Sequence, residues 1–206
     1  MSKARQTATI GIDQLADTVK TASSPGPAPV QLWNPPFCGD IDMRIAADGT
    51  WFYHGTPIGR PALVRLFASI LKREGDDYFL VTPVEKCGIR VDDAPFVAVE
   101  LQVVAGDGSG RQLRLRTSVD DWVTVGPDHP LRFEPEAVSG GLRPYVHVRA
   151  NLWARVTRAV WYDLVAAGEV RGVGGRDMFG VASAGEFYAM APAADLAAAD
   201  PGDLGR

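Results

Sequence analysis

The chain has 206 residues, 46% hydrophobic and 22% charged, which are ordinary values for a folded soluble protein with one large core or two small ones. Its 21 Lys and Arg against 25 Asp and Glu leave a net charge of −4, which argues against a general nucleic-acid binder. No apolar run approaches the roughly 18–20 residues that cross a bilayer, and two distant cysteines, Cys38 and Cys87, fit reduced thiols in a cytoplasmic protein.

The opening MSKARQTATIGIDQL lacks the apolar core of a secretory signal. Ile12, Leu15, Ala16 and Val19 then fall on one face of a predicted N-terminal helix over residues 10–21. Three prolines between Ser23 and Pro29 make a linker that leads to Trp33-Asn34-Pro35-Pro36. Ile41, Met43 and Ile45 alternate with Asp42 and Arg44, the mark of a half-buried strand, and Asp48-Gly49 turns it back through Thr50–His54. Pro61 suits a first helical position. Leu63, Leu66, Phe67, Ile70 and Leu71 form the apolar face of a helix expected to run to Lys72-Arg73-Glu74-Gly75. Tyr78–Thr82 and Ile89–Val91 read as strands.

Pro95–Val104 is a long strand that turns at Gly106–Gly110 and returns through Leu113, Leu115 and Thr117. Asp121–Val125, Leu131–Phe133 and Pro144–Val148 follow as further strands. The longest helix is expected over residues 150–167, with Leu152, Val156, Ala159, Val160 and Leu164 on its apolar face and Trp153 and Trp161 widening it. Gly168 and the Gly172–Gly175 run end that helix, and Met178–Ala182 and Phe187–Met190 are the last strands. From Ala191 the composition turns to Ala, Asp, Pro and Gly, which predicts a disordered tail over 191–206.

The second half echoes the first. Asp40, Met43, Arg44 and Ile45 match Asp128, Leu131, Arg132 and Phe133 at an offset of 88, and Arg60 matches Arg149 at 89. Asp77, Phe79 and Val81 match Asp177, Phe179 and Val181 at 100, and Glu85 matches Glu186 at 101. The expected architecture is therefore α+β: duplicated sheet-plus-helix units over 1–92 and 93–190, preceded by the N-terminal helix. Residues 39–104 hold ten acids against seven bases, whereas residues 143–176 hold six arginines against two acids. That asymmetry predicts either docking of the units or an arginine-lined groove for an anion.

The strings W-N-P-P, G-D-I-D-M-R-I, D-G-T-W-F-Y-H-G-T-P-I-G-R-P-A-L-V-R-L-F, Y-F-L-V-T-P-V-E-K, V-D-D-A-P-F-V-A, D-H-P-L-R-F and R-P-Y-V-H-V-R-A-N-L-W-A-R-V resemble the domain-of-unknown-function 1285 (DUF1285) family of bacterial proteins, from Trp33 to Met190. The resemblance implies a duplicated α+β fold whose C-terminal half is superficially like a pleckstrin-homology domain. It implies a ligand site between the halves and a signalling role as suggestions, and no established activity.

No Cys/His cluster has zinc spacing and no Walker loop or G-x-S-x-G elbow occurs, so neither a metal nor a cofactor is predicted. The leading expectation is a non-enzymatic binding or signalling module that takes a small anionic ligand or a peptide in an interdomain groove lined by Trp33, Trp51, Arg60, His129, Arg143 and Arg149. A second is a small hydrolase or transferase in which Asp128 orients His129 for acid/base work. A third is a protein–protein adaptor with an exposed apolar patch. None involves nucleic acid or membrane insertion.

Overall fold

The computed structural model describes residues 28–106, 110–136 and 141–198; the helix expected over 10–21 lies outside them. Proximity of Cα atoms divides the chain into two units. One runs to Phe96 and takes in Ala150–Leu152; the other holds Val97–Arg149 and the chain from Trp153 onward.

In the first unit, β1 (Phe37–Ile45) buries Ile41, Met43 and Ile45 on one face, as the period of two requires. Asp48 Oδ1 accepts from Thr50 N at 2.9 Å and Gly49 takes φ 86°, so the chain reverses into β2 (Trp51–Tyr53). His54 and Gly55 make a second tight turn into β3 (Thr56–Pro57). Pro61 opens α1 (Pro61–Ser69), which buries Leu63, Phe67 and Ala68, and Phe67 stacks on Trp51 with centroids 6.4 Å apart.

The helix stops at Ser69, short of the expected Gly75. Leu71–Glu74 is instead strand β4, paired with β5 (Asp77–Val81) through a two-residue Gly75-Asp76 turn in which Gly75 holds φ 61°. The glycine that suits a helix C-cap suits a hairpin equally well, and tertiary pairing decides between them. With β6 (Lys86–Val91) the sheet order is β3-β2-β1-β6-β5-β4, and the parallel β1–β6 pair joins two antiparallel meanders.

β4 carries one cation inward. Lys72 is 9% exposed; its ammonium donates to Trp33 O at 3.2 Å and meets Glu74 Oε1 at 3.1 Å, while Lys86 reaches Glu74 Oε2 at 2.8 Å. The Lys86 ammonium, then Lys72, holds the Glu74 carboxyl below the usual carboxylate range, against the desolvation that would raise it.

The second unit begins with β7 (Phe96–Ala105), β8 (Arg111–Thr117) and β9 (Trp122–Thr124), then β10 (Leu131–Pro135), β11 (Leu142–Arg149) and β12 (Leu152–Val156), in the order β10-β11-β12-β7-β8-β9. Strand β12 overturns the long helix over 150–167. Leu152, Ala154 and Val156 are buried while Trp153 and Arg155 alternate with them, and only then does Thr157 cap α2 (Arg158–Ala166) through Val160 N. Residues four apart share a face in a strand as well as in a helix, which is why Leu152 and Val156 misled the periodicity. Gly174-Gly175 is a hairpin turn, with φ 59° and 80°, between β13 (Glu169–Val173) and β14 (Arg176–Ser183). β15 (Glu186–Pro192) and a short α3 (Ala193–Ala198) continue past Ala191, and residues 199–206 lie outside the described ones.

The fold is a duplicated α+β arrangement. Three strands, a nine-residue helix and three strands run from β1 to β6 and again from β10 to β15. The helices correspond at an offset of 97, which superposes the buried Leu63 and Phe67 on the buried Val160 and Leu164. This corrects the match of Arg60 with Arg149: Arg60 is the N-cap residue of α1 and corresponds to Thr157, whereas Arg149 ends β11. The copies differ in pairing, because β13–β15 form a separate three-stranded sheet. That sheet is anchored by Ser183, whose hydroxyl accepts from Leu113 N at 2.9 Å and donates to Val125 O at 2.7 Å. Among the described residues no helix is long and apolar enough to cross a membrane.

Candidate functional site

The six-stranded sheet of the second unit buries Leu131, Val146, Val148, Ala154 and Val156 on β10, β11 and β12. Alternation turns Arg132, Tyr145, His147 and Trp153 to the other face. There the Arg132 guanidinium lies 4.3 Å from the Trp153 ring centroid and 5.0 Å from that of Tyr145, its cross-strand partner. His147 meets Trp153 edge-on at 5.2 Å and stacks on His129 at 5.9 Å. Arg132 is therefore held by aromatic faces and by Glu134 at 3.1 Å, with its side chain 43% exposed.

The imidazoles are locked reciprocally. His129 Nδ1 donates to His147 O at 3.1 Å, and His147 Nδ1 donates to Asp128 O at 2.8 Å. A carbonyl oxygen only accepts, so both rings carry a proton on Nδ1. The Asp128 contribution is its main-chain carbonyl. The Asp128–His129 dyad drawn for acid/base chemistry is thus not what positions the His129 ring.

Of the other residues expected at a site, Arg143 and Arg149 share β11 but sit six positions apart, about 20 Å along an extended strand. Arg143 pairs with Glu136 at 3.2 Å, and Arg149 hydrogen-bonds Asp121. They cannot clamp one small ligand together. Trp51 is 2% exposed and packs on Phe67, which removes it from a ligand surface. Trp33 is half-buried and offers its carbonyl to Lys72, and Arg60 is exposed at the start of α1. Sequence reasoning missed Arg132 and Trp153 as site residues. A signal existed, since Arg132 recurs as Arg44, which lies 4.6 Å over Phe52, again its cross-strand partner.

The first unit has a cavity of its own, about 400 Å³, lined by Asp40, Asp42, Arg44, Tyr78, Gly88 and Arg90 among others. Arg44 pairs with Asp92 at 2.6 Å and His54 with Asp42 at 3.2 Å. A Cβ at Gly88 would lie 2.0 Å from Asp40 Oδ1, so a larger residue there requires the Asp40 side chain to move. No group of three or more His, Cys, Asp or Glu among the described residues could hold a metal ion.

Two family models match the chain: the N-terminal domain of DUF1285, a domain of unknown function, over residues 28–94, and the C-terminal domain of DUF1285 over residues 95–190. The chain belongs to the DUF1285 family. A DUF1285 protein from Silicibacter pomeroyi DSS-3, known from a crystal structure, is 52% identical, with a TM-score of 0.79 over 89% of this chain and 97% of that one. A DUF1285 protein from Shewanella baltica OS155 is 30% identical, with a TM-score of 0.49 over 60% of this chain and 90% of that one. No curated protein matches the chain. Membership in DUF1285 brings a fold and assigns no activity.

Proposed function

We propose that this DUF1285 protein is a cytoplasmic binding module that takes an anionic ligand on the sheet face formed by Arg132, His147 and Trp153. The observation that carries the reading is Arg132 stretched over two aromatic rings, with its side chain partly exposed and the imidazole of His147 against the same Trp153 ring. Guanidinium is suited to planar or phosphate oxygens, and its pairing with the half-exposed Glu134 is weak enough to be exchanged for a ligand anion. Trp153 adds a flat apolar wall. The free thiols of Cys38 and Cys87 support the cytoplasmic setting, and a signalling role follows if ligand occupancy is what a partner reads.

A thermal-shift screen with nucleotides, acyl compounds and phosphorylated metabolites tests the proposal, since a ligand that binds only the native state raises the midpoint. The expected result is a stabilising anion whose effect disappears in Arg132→Ala. Stabilisation that survives in Arg132→Ala sinks this site.

A further inference from the structure

A strand at the margin of a sheet presents a row of N–H and C=O groups that another chain can pair with, and folded proteins blunt such margins with prolines, lysines, bulges or extreme shortness. Most margins of these sheets are blunted. β3 has two residues and ends in Pro57, β9 has three, and β10 ends in Pro135. β4 carries Lys72 inward, and β15 is bulged where Phe179 pairs with Ala191 but Gly180 with Ala189. β13 has none of these devices. Its five residues, Glu169 to Val173, pair with β14 without a register shift, and among the described residues no strand pairs with its other side. Four of the five are exposed, Val170 at 54%.

The hairpin fixes which backbone groups point outward. Gly174-Gly175 is a two-residue turn with both φ positive, so Val173 and Arg176 are the hydrogen-bonded pair that closes it. Alternation then commits Val173, Arg171 and Glu169 to β14 and turns the N–H and C=O of Val170 and Gly172 to the open side. An antiparallel second copy related by a two-fold axis meets those groups in three registers. Gly172 opposite Gly172 sets Arg171 against Val173, and Val170 opposite Gly172 sets Arg171 against Arg171. Only Val170 opposite Val170 sets Glu169 against Arg171, and the axis makes that pair twice. Glu169 and Arg171 stand half-exposed on one face of the strand, with Oε1 and Nε 2.6 Å apart. A guanidinium has five donors, so it can serve the carboxylate of its own strand and the one opposite together. The same register brings Gly172 opposite Gly168, where no side chain stands between the copies. We infer that β13 pairs antiparallel with β13 of a second copy in this register, joining two three-stranded sheets into one of six strands.

Sedimentation equilibrium of the full chain, from micromolar to near-millimolar concentration, is the test, and a reversible monomer–dimer equilibrium is expected. Glu169→Arg and Arg171→Glu each set like charges against each other across the axis and should weaken the dimer about tenfold or more. Val170→Lys, which puts a lysine on the strand margin, should do the same. The deciding sample is an equimolar mixture of the Glu169→Arg and Arg171→Glu chains. Each variant repels its own copies, but both cross-strand pairs between the two variants are of opposite charge, so the mixture should dimerise about tenfold or more tightly than either alone. A chain that stays monomeric at every concentration leaves the strand to some other occupant and overturns the inference. So does a dimer indifferent to all three substitutions, or a mixture no tighter than its components. Should either charge variant fail to fold, Val170→Lys decides: a dimer weakened tenfold supports the pairing, and an unchanged one refutes it.

Discussion

Arg132 on β10 lies directly across from Tyr145 on β11, with its guanidinium 5.0 Å over the phenol ring. Arg44 and Phe52 repeat the relationship between β1 and β2, at 4.6 Å. Duplication has thus carried a cation–aromatic cross-strand pair into both units. Only the second copy adds a further ring, Trp153, and the imidazoles of His129 and His147.

Arg132 and Trp153 should therefore be energetically coupled. A double-mutant cycle with Arg132→Ala and Trp153→Leu, read by urea denaturation, is expected to show a coupling of about 0.5–1 kcal/mol. Additive effects would mean that the rings merely lie near the guanidinium.

Trp51 belongs to the core of the first unit. Trp51→Ala is expected to destabilise by about 3–5 kcal/mol, as loss of a buried aromatic does, while Arg60→Ala stays within about 0.5 kcal/mol. Chemical denaturation of the two variants checks the contrast. A mild Trp51→Ala would return that ring to the list of ligand contacts.

Gly88 leaves room for Asp40. Gly88→Ala forces a Cβ into the carboxylate oxygen, so the Asp40 side chain must shift and stability should fall by about 1–3 kcal/mol. A melting temperature equal to that of the native chain would show that Asp40 turns aside at no cost.

The Glu74 cluster gives a pH dependence with a definite sign. Its carboxyl titrates lower in the folded chain than in the unfolded one, so its stabilisation is full above the unfolded value of about 4.3 and fades as pH falls through the folded value. Glu74→Gln should cost about 1–2 kcal/mol at pH 7, because the buried Lys72 loses its counter-ion, and the difference should shrink toward pH 3. Urea midpoints of both proteins across that range provide the check; a gap that widens on acidification contradicts the assignment.

How much of this was legible in the sequence depended on whether one local pattern served two structures. The strands β1, β5, β7 and β8 and the Asp48-Gly49 hairpin could be read because alternation and turn chemistry agree there. Gly75, Gly174 and Gly175 were ambiguous, since a glycine at positive φ ends a helix or turns a hairpin with equal ease. Leu152 and Val156 fit both periods, and placing Trp153 on a helix hid its contact with Arg132. The offsets find the repeat but slide Arg60 onto Arg149, because β12 occupies chain whose spacing also fits a helix. At the site, arginine density points to Arg143 and Arg149 and the Asp128-His129 pair to His129, whereas the central Arg132 is visible only as a recurrence of Arg44. Trp51 misled because a tryptophan in a short strand can face either side, and only the position of Phe67 fixes which.

On the proposed reading Arg132, and not the arginine at the start of α1, receives the ligand. Isothermal titration of the most stabilising compound from the thermal-shift library into the native chain, Arg132→Ala and Arg60→Ala tests it most directly. Affinity should fall at least tenfold, roughly 1.4 kcal/mol or more, in Arg132→Ala and hold in Arg60→Ala. Unchanged affinity in Arg132→Ala, or a loss confined to Arg60→Ala, would contradict it.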